Sequence, residues 1–479
     1  MRFLNFLKIF CVTFVYLFVI TFNNSAVAVD DVCSVTAPNA NPFANAAVSL
    51  PSSYQGPAFE LSYKYPKVVG SYQYPWIKAL KGKPISQDNA IAYVEAVKDY
   101  IGEDMRTLIL NYERWDAATA GWYNLPWLCS IRDPIHGTYV GSSFDPSMFP
   151  LSGLKKPMTT HVLVYYNDIA GYTLGKMWGD TAKNPDLSNS QFQEGAIIIK
   201  VAVTTALPED WSPLEGAAKW ELYAPLDNQN WKNATFFDTS VFQFDIIVKD
   251  TKTAPKTGWV FATLTYDKEA PGDAWDRLVP LGAMWGNDPD INSAINPNAI
   301  LRENSINAIA LLYATETLGY GGRLSGPNDG AVVQNAQVAG NPDQTLARAR
   351  VSSCLSCHGV AEWPMKSFLL PGFIDQNSNL EIYTPGSTDF NNWFQDRPGN
   401  VPQDPGTIAL DYDMNIAFKA LPLWNKWYQA NKTKQPLLAT PTLLQSAPNP
   451  VEVVPVYLRD LLLNPENTGY NGLPINKKK

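Results

Sequence analysis

Three histidines and five cysteines in 479 residues leave little material for metal chemistry built on imidazole and thiolate clusters. A zinc site takes about four N or S ligands. Beyond a cysteine pair at 354 and 357, only Cys33, Cys129, His136 and His161 could complete one, and none of these is paired with another at close ligand spacing. Basic clusters are missing except for Lys477, Lys478 and Lys479, which argues against nucleic acid or an anionic lipid surface as partner. After residue 28 no segment stays apolar for the ~20 residues of a helical membrane crossing. The stretch "GYGGRLSGPNDG" lacks the G-x-x-x-x-G-K-[ST] order of a phosphate loop. No serine sits in a nucleophile elbow, and no internal repeat is present.

What is present begins with "MRFLNFLKIFCVTFVYLFVITFNNSAVAVDD": Arg2 and Lys8, an apolar run from Ile9 to Phe22, then Ala26-Val27-Ala28. This order predicts a secretory signal peptide cleaved after Ala28, an N-terminal anchor being the other reading of the same run. Cleavage moves the balance from 37 basic against 45 acidic residues, net −8, to 35 against 45, net −10. Export implies an oxidising compartment, in which Cys33 and Cys129 are expected to form a disulfide. Two separate buried thiols are the alternative.

Along the mature chain, "SQDNAIAYVEAVKDYIGEDMRTLILNYERW" has apolar residues at helical spacing behind Ser86 or Asp88, which predicts one or two helices. The block "GWYNLPWLCSIRDPIHGTYVGSSFDP" reads as packed loops. From residue 160 the texture changes. "THVLVYYND", "GAIIIKVAVTT", "VFQFDIIVKD" and "GWVFATLTYD" are β-branched and aromatic runs bounded by turn residues, with a short helix "IAGYTLGKMWG" after the first. In the third run Phe242, Phe244 and Ile246 alternate with Gln243, Asp245 and Ile247, as a half-buried strand requires. Further on, "DQTLARARVSSC" reads as a short helix and "LDYDMNIAFKALPLWNKWYQA" as a longer one. The predicted fold class is α+β, an antiparallel β-sheet domain with flanking helices and loop-rich extensions at both ends. Its divisions are 1–28, 29–155, 156–360 and 361–479.

The chemistry concentrates in "VSSCLSCHGV", residues 351–360. A thioredoxin-type dithiol needs its C-x-x-C at the end of a strand in a βαβ unit, whereas the residues before Cys354 read as helical. C-x-x-C-H is the pattern for covalent haem: two thiols one helical turn apart add to the vinyl groups and the next imidazole ligates the iron. With so few histidines in the chain, one in the required place is a specific signal. One haem c is therefore expected, attached at Cys354 and Cys357, with His358 as iron ligand. Candidates for the other axial position are His136, His161, Met148, Met158, Met284, Met365 and Met414, the last 56 residues beyond His358. Arg323, Arg348 and Arg350 are candidates to hold the propionates.

The succession "VLVYYNDIAGYTL", "FQEGAIIIKVAV", "FDIIVKDTKTAPKTGWVFATLTYD" and "CLSCH" resembles the cytochrome P460 and cytochrome c′-β family of small β-sheet haem c proteins. The resemblance spans residues 160–267 and 354–358. It implies a five-coordinate haem with His358 proximal and an open pocket lined by the sheet. It also implies a role for Lys200, which matches the lysine that P460 enzymes, oxidisers of hydroxylamine, join covalently to the haem and that c′-β proteins keep unlinked while binding nitric oxide. The plain reading of Lys200 is a strand lysine reaching solvent or a carboxylate. The chain departs from the family in the 86 residues between Asp267 and Cys354 and in everything after residue 360. No catalytic acid or base is assigned by motif.

These observations lead to the expectation of an exported, periplasmic or secreted mono-haem c-type cytochrome that transfers electrons or binds a small gas. The alternatives are a P460-like enzyme acting on hydroxylamine or a related nitrogen species, and a module whose haem is structural. Its expected partner is a redox protein or a small-molecule ligand.

Overall fold

The computed structural model describes residues 33–69, 74–144, 146, 153–226, 230–286, 331–338, 341–351, 354–366, 388, 392 and 395–432. The segment expected to be a signal peptide, Met148 and Arg323 lie outside these. Among the described residues no helix is long and apolar enough to cross a membrane.

The β-branched and aromatic runs build one antiparallel sheet. Strands β1 (Tyr139–Phe144), β2 (Met158–Tyr166), β3 (Ile197–Thr204), β5 (Thr235–Lys249), β6 (Trp259–Tyr266) and β7 (Leu278–Met284) lie side by side in that order, and β4 (Lys219–Ala224) pairs with the first half of β5. The mixed α+β class expected from the sequence is thus what the chain forms. The long helix α1 (Gln87–Leu110) starts where Ser86 N–H donates to Asn89 Oδ1 at 2.7 Å. It carries Ala90, Val94, Val97, Ile101, Met105 and Leu108, spaced three or four apart, into a core with Phe244, Ile246, Val260 and Leu264 of the sheet. Each such side chain larger than alanine, fully buried, contributes about 1.5–3 kcal/mol.

The other sheet face is covered by α2 (Asp168–Trp178), whose Asn167 side chain caps Ala170 N–H, and by segments from both ends of the chain. Trp127 and Trp178 come from before and after β2, and Leu355, Leu410, Ile416, Trp424 and Trp427 from beyond the sheet. The last two ride on α4 (Leu421–Asn431), which realises the second half of the predicted C-terminal helix, whose first residues, 410–413, form a turn instead. Immediately before α4, a turn of wider helix (Ile416–Ala420) brings Lys419 into the interior over the Tyr139 ring. Cys33 and Cys129 are joined, their Cα atoms 5.8 Å apart, so the N-terminal lead is tied to the segment that enters β1.

Four expectations are corrected. The block read as packed loops contains β1, which gains its ladder from β2 rather than from local propensity. Strands β4 and β7 were not foreseen. Phe242 does not share a face with Phe244 and Ile246. The register of β3 against β5 slips between Ala202 and Val203, leaving Phe242 as an extra residue that turns to the α2 side with Ile247. Finally, "DQTLARAR" is a strand: β9 (Asn341–Val351) pairs with β8 (Ala331–Val338) as a hairpin, the partner strand overriding a weak helical preference. Arg348 and Arg350 lie on β9.

His136 belongs to the α1 side, stacked on Trp220 at 4.2 Å and packed on Tyr112 at 4.0 Å. Burial depresses its pKa to about 3, below the ordinary value near 6.5. Its neutral form therefore favours the fold at high pH, and stability is lost as pH falls from about 6.5 towards 3, because the unfolded chain binds the proton first. Nδ1 has no hydrogen-bond partner, so an apolar ring suits the slot. His136→Phe is expected to keep the urea midpoint at pH 7 and to lower it less than wild type at pH 4.5. An unchanged acid dependence would show that His136 does not resist protonation.

Candidate functional site

The C-x-x-C-H segment folds as a single helical turn, α3 (Cys354–His358), at the end of β9. A strand does precede the cysteines, contrary to expectation. It belongs to an antiparallel hairpin, however, and α3 stops after five residues, so the βαβ setting of a thioredoxin-type dithiol is not what surrounds the pair. Cys354 and Cys357 form no disulfide and are partly buried. Burial, with Cys354 adding to it and the Lys200 charge opposing, pushes the Cys357 thiol up to about 12, the reverse of what a redox-active thiolate needs.

The turn is held by its backbone. Leu355 N–H donates to Met284 Sδ at 3.2 Å, anchoring α3 on the end of β7. Past Gly359 the chain enters β10 (Glu362–Trp363), which pairs with β11 (Ile408–Ala409), and Leu410 N–H donates to Ala361 O at 2.9 Å. That ladder carries the 410–415 segment alongside the motif. Tyr412 then presents its carbonyl to His358, and Nδ1–H donates to it at 2.8 Å. The Tyr412 hydroxyl donates to Arg397 O at 2.6 Å, and Arg397 Nη1 returns to Gly359 O at 2.9 Å. The result is a closed circuit, His358 to Tyr412 to Arg397 to Gly359, built wholly from the segment after residue 357.

The imidazole packs edge-on against Phe261, ring centroids 4.8 Å apart. This apolar packing lowers its pKa to about 4; the Tyr412 carbonyl opposes the shift and the Lys200 charge adds to it. At neutral pH the ring is uncharged, as a metal ligand must be. With Nδ1 directed to a carbonyl, Nε2 is the nitrogen a metal would take.

Lys200 lies on the same sheet face. It sits opposite Val164 on β2 and Asp245 on β5, within the row Val164, Lys200, Asp245, Thr263 that crosses four strands. Its ammonium pairs with the Asp245 carboxylate, both largely buried. Asp245 Oδ1 also accepts from Gln243 Nε2 at 2.8 Å and Thr263 Oγ1 at 2.7 Å. Lys200 thus reaches a carboxylate, and its charge is felt at both His358 and Cys357. In the next row Gln243 Oε1 and Thr265 Oγ1 are buried with no protein partner, so this patch has polar capacity the chain itself does not use.

The structure separates the other sequence candidates. His136 and His161 lie on the α1 side, His161 opposite Val203 in the ladder, so neither shares the face of His358. With Cys33 and Cys129 bonded to each other, the four residues that a zinc site would need do not gather at the motif. Met158, Met284, Met365 and Met414 are buried in the cluster that holds Leu355. Met284 is engaged by Leu355 N–H, and Met414 follows two residues after the carbonyl that holds Nδ1.

Sequence reasoning missed Asp245, Arg397 and Tyr412. Asp245 left a partial signal, because strand alternation places it on one face with Gln243, while its place opposite Lys200 comes from the β3–β5 register. Tyr412 acts through a backbone carbonyl, which leaves no residue signature. The donor set fits a c-type haem: two thiols on one turn, not joined to each other, and a neutral imidazole oriented through Nδ1. No protein family, curated protein or solved structure matches the chain.

Removing one member of a buried ion pair leaves the other uncompensated and costs roughly 3–5 kcal/mol. Lys200→Met is expected to lose stability on that scale in urea denaturation, and Lys200→Met/Asp245→Leu to lose less than the sum of the single changes. Strict additivity would mean the pair does not act as a unit.

Proposed function

We propose that this chain is an exported mono-haem c-type cytochrome that transfers electrons or binds a small gas. One haem c would be held by Cys354 and Cys357 and ligated by His358. The observation that carries the reading is the 2.8 Å bond from His358 Nδ1 to the Tyr412 carbonyl behind an intact C-x-x-C-H turn. Proximal histidines are oriented in this way through the nitrogen that does not bind metal. When bound, the haem supplies a one-electron iron centre, and a sixth position left open would add ligand binding. Export is supported by the Cys33–Cys129 disulfide and by the N-terminal segment. The partner is then a redox protein or a small molecule.

Likeness to the cytochrome P460 and cytochrome c′-β family is part of the proposal, supported by Lys200 on the His358 face of an antiparallel sheet. One observation favours the enzymatic alternative, oxidation of hydroxylamine or a related nitrogen species. Asp245 is a carboxylate next to that lysine, and such an oxidation needs a proton acceptor. In that role Asp245 would take the proton, with the Lys200 ammonium beside it.

The chain produced with a c-haem maturation system tests both readings by absorption spectroscopy. The expected result is a covalent haem spectrum in the wild type that is lost in Cys354→Ser/Cys357→Ser. A high-spin spectrum that shifts with carbon monoxide supports gas binding, and a low-spin one indifferent to it supports electron transfer. A Soret band displaced far to the red would report a Lys200 crosslink. Hydroxylamine oxidation that is abolished in Asp245→Asn, with carbon monoxide binding retained, would favour the enzyme. A wild-type chain that takes up no haem refutes the reading.

A further inference from the structure

The Tyr412 carbonyl reaches His358 because of an uncommon backbone. Asp411 and Tyr412 are consecutive non-glycine residues in the left-handed region, with φ of 48° and 68°. That conformation is unfavourable for L-residues and persists only where the surroundings over-determine it. The surroundings here converge on the Asp411 side chain, which is 1% exposed. Its Oδ1 accepts from Lys249 Nζ at 2.7 Å and from Trp259 Nε1 at 2.8 Å, and its Oδ2 accepts from Phe192 N–H at 2.8 Å. The donors come from the end of β5, the start of β6 and the segment before β3, three separate parts of the sheet scaffold. Lys249 Nζ also lies 4.9 Å from the centre of the Trp259 ring, so carboxylate, ammonium and indole form one packed unit. Gly399 abuts it, and a Cβ at that position would overlap Asp411 Oδ1.

The same strand that grips Asp411 also carries the ring against which His358 rests. Trp259 and Phe261 share one face of β6; the first donates to Asp411 and the second packs on the imidazole. The distance from the Asp411 anchor to the imidazole is therefore set by two residues of one strand. Ile198, Ile247, Trp259, His358, Asp411 and Tyr412 together enclose a small cavity at this junction.

We propose that Asp411 is a positioning residue for His358. Gripped by Lys249, Trp259 and the Phe192 amide, it fixes the left-handed turn that keeps the Tyr412 carbonyl on Nδ1, and through that bond it holds down the reduction potential of the iron. The inference rests on the haem reading above. A carbonyl held on Nδ1–H makes the imidazole a stronger donor through Nε2, which favours the ferric state. Loosening the turn weakens that donation and raises the potential.

The test uses the full haem-loaded chain. A pyridine haemochrome spectrum of the wild type comes first, followed by the midpoint potential and the iron–histidine stretching frequency of the ferrous form by resonance Raman. Asp411→Asn is expected to raise the potential enough to change the ferric-to-ferrous ratio about tenfold at fixed poise, about 59 mV for a one-electron couple, and to lower the stretching frequency. Because Asp411→Asn also strips Lys249 of its counter-charge, Trp259→Phe and Gly399→Ala disturb the anchor without changing any charge. They are expected to move both readouts in the same direction by less, and they carry the test if Asp411→Asn does not accept haem. Wild-type potential and stretching frequency in the loaded variants overturn the positioning role and leave the haem reading standing. A shifted potential with an unshifted stretching frequency overturns it too, since charge alone would then account for the shift. Absence of a haemochrome band in the wild type overturns the haem reading and this inference together.

Discussion

One hydrogen bond organises the site: Nδ1 of His358 to the carbonyl of Tyr412. An imidazole on a five-residue turn has little to fix its rotation, because α3 is too short to be a stable helix in its own right. The constraint is supplied from outside. The β10–β11 ladder brings residues 408–413 beside the motif, the left-handed turn aims the carbonyl, and Arg397 ties both to Gly359. The segment after residue 360 is therefore the wall that holds His358 in place.

The sheet divides two kinds of environment. Its α1 side is filled with apolar side chains and two buried histidines with depressed pKa values, His136 and His161. Its other side mixes tryptophans with buried charge: Lys200 with Asp245, and Lys249 with Asp411. Buried pairs of this kind contribute little net stability compared with apolar residues of equal volume. Placing two of them on the face that holds the motif, on β3 and β5 and at the tip of the 410–415 turn, is better explained by electrostatic control of that face than by stability. Asp413, within the same turn, has its carboxyl raised to about 6 by burial and accepts from Tyr166 at 2.9 Å. The turn therefore carries a buried carboxylate on each side of the residue whose carbonyl holds the imidazole.

What could be read from the sequence was whatever depends on short range. The strands around Val164, Lys200, Ile246 and Phe261 were visible in their β-branched runs, α1 in its three-to-four spacing, and the motif in three residues of fixed order. The Cys33–Cys129 bond followed from compartment and arithmetic. What escaped depends on long-range partners. Strand β1 exists because β2 lies beside it, and the slip that turns Phe242 to the other face is a property of the β3–β5 register. Residues 341–351 had helical composition and found a strand partner. The clamp on His358 joins residues 54 and 15 positions apart through backbone oxygens, and no residue type announces a carbonyl acceptor. Asp245 was the exception, since its alternation with Gln243 was legible while its pairing with Lys200 was not.

The central claim is that the helical turn at 354–358 carries a covalently bound haem. Mass spectrometry of proteolytic peptides from the chain, made in a host that attaches c-type haem, tests it most directly. The account predicts that the peptide containing Cys354, Cys357 and His358 carries the mass of one haem and that no other peptide does. A native chain whose peptide appears at its unmodified mass, with both thiols open to alkylation, would contradict it.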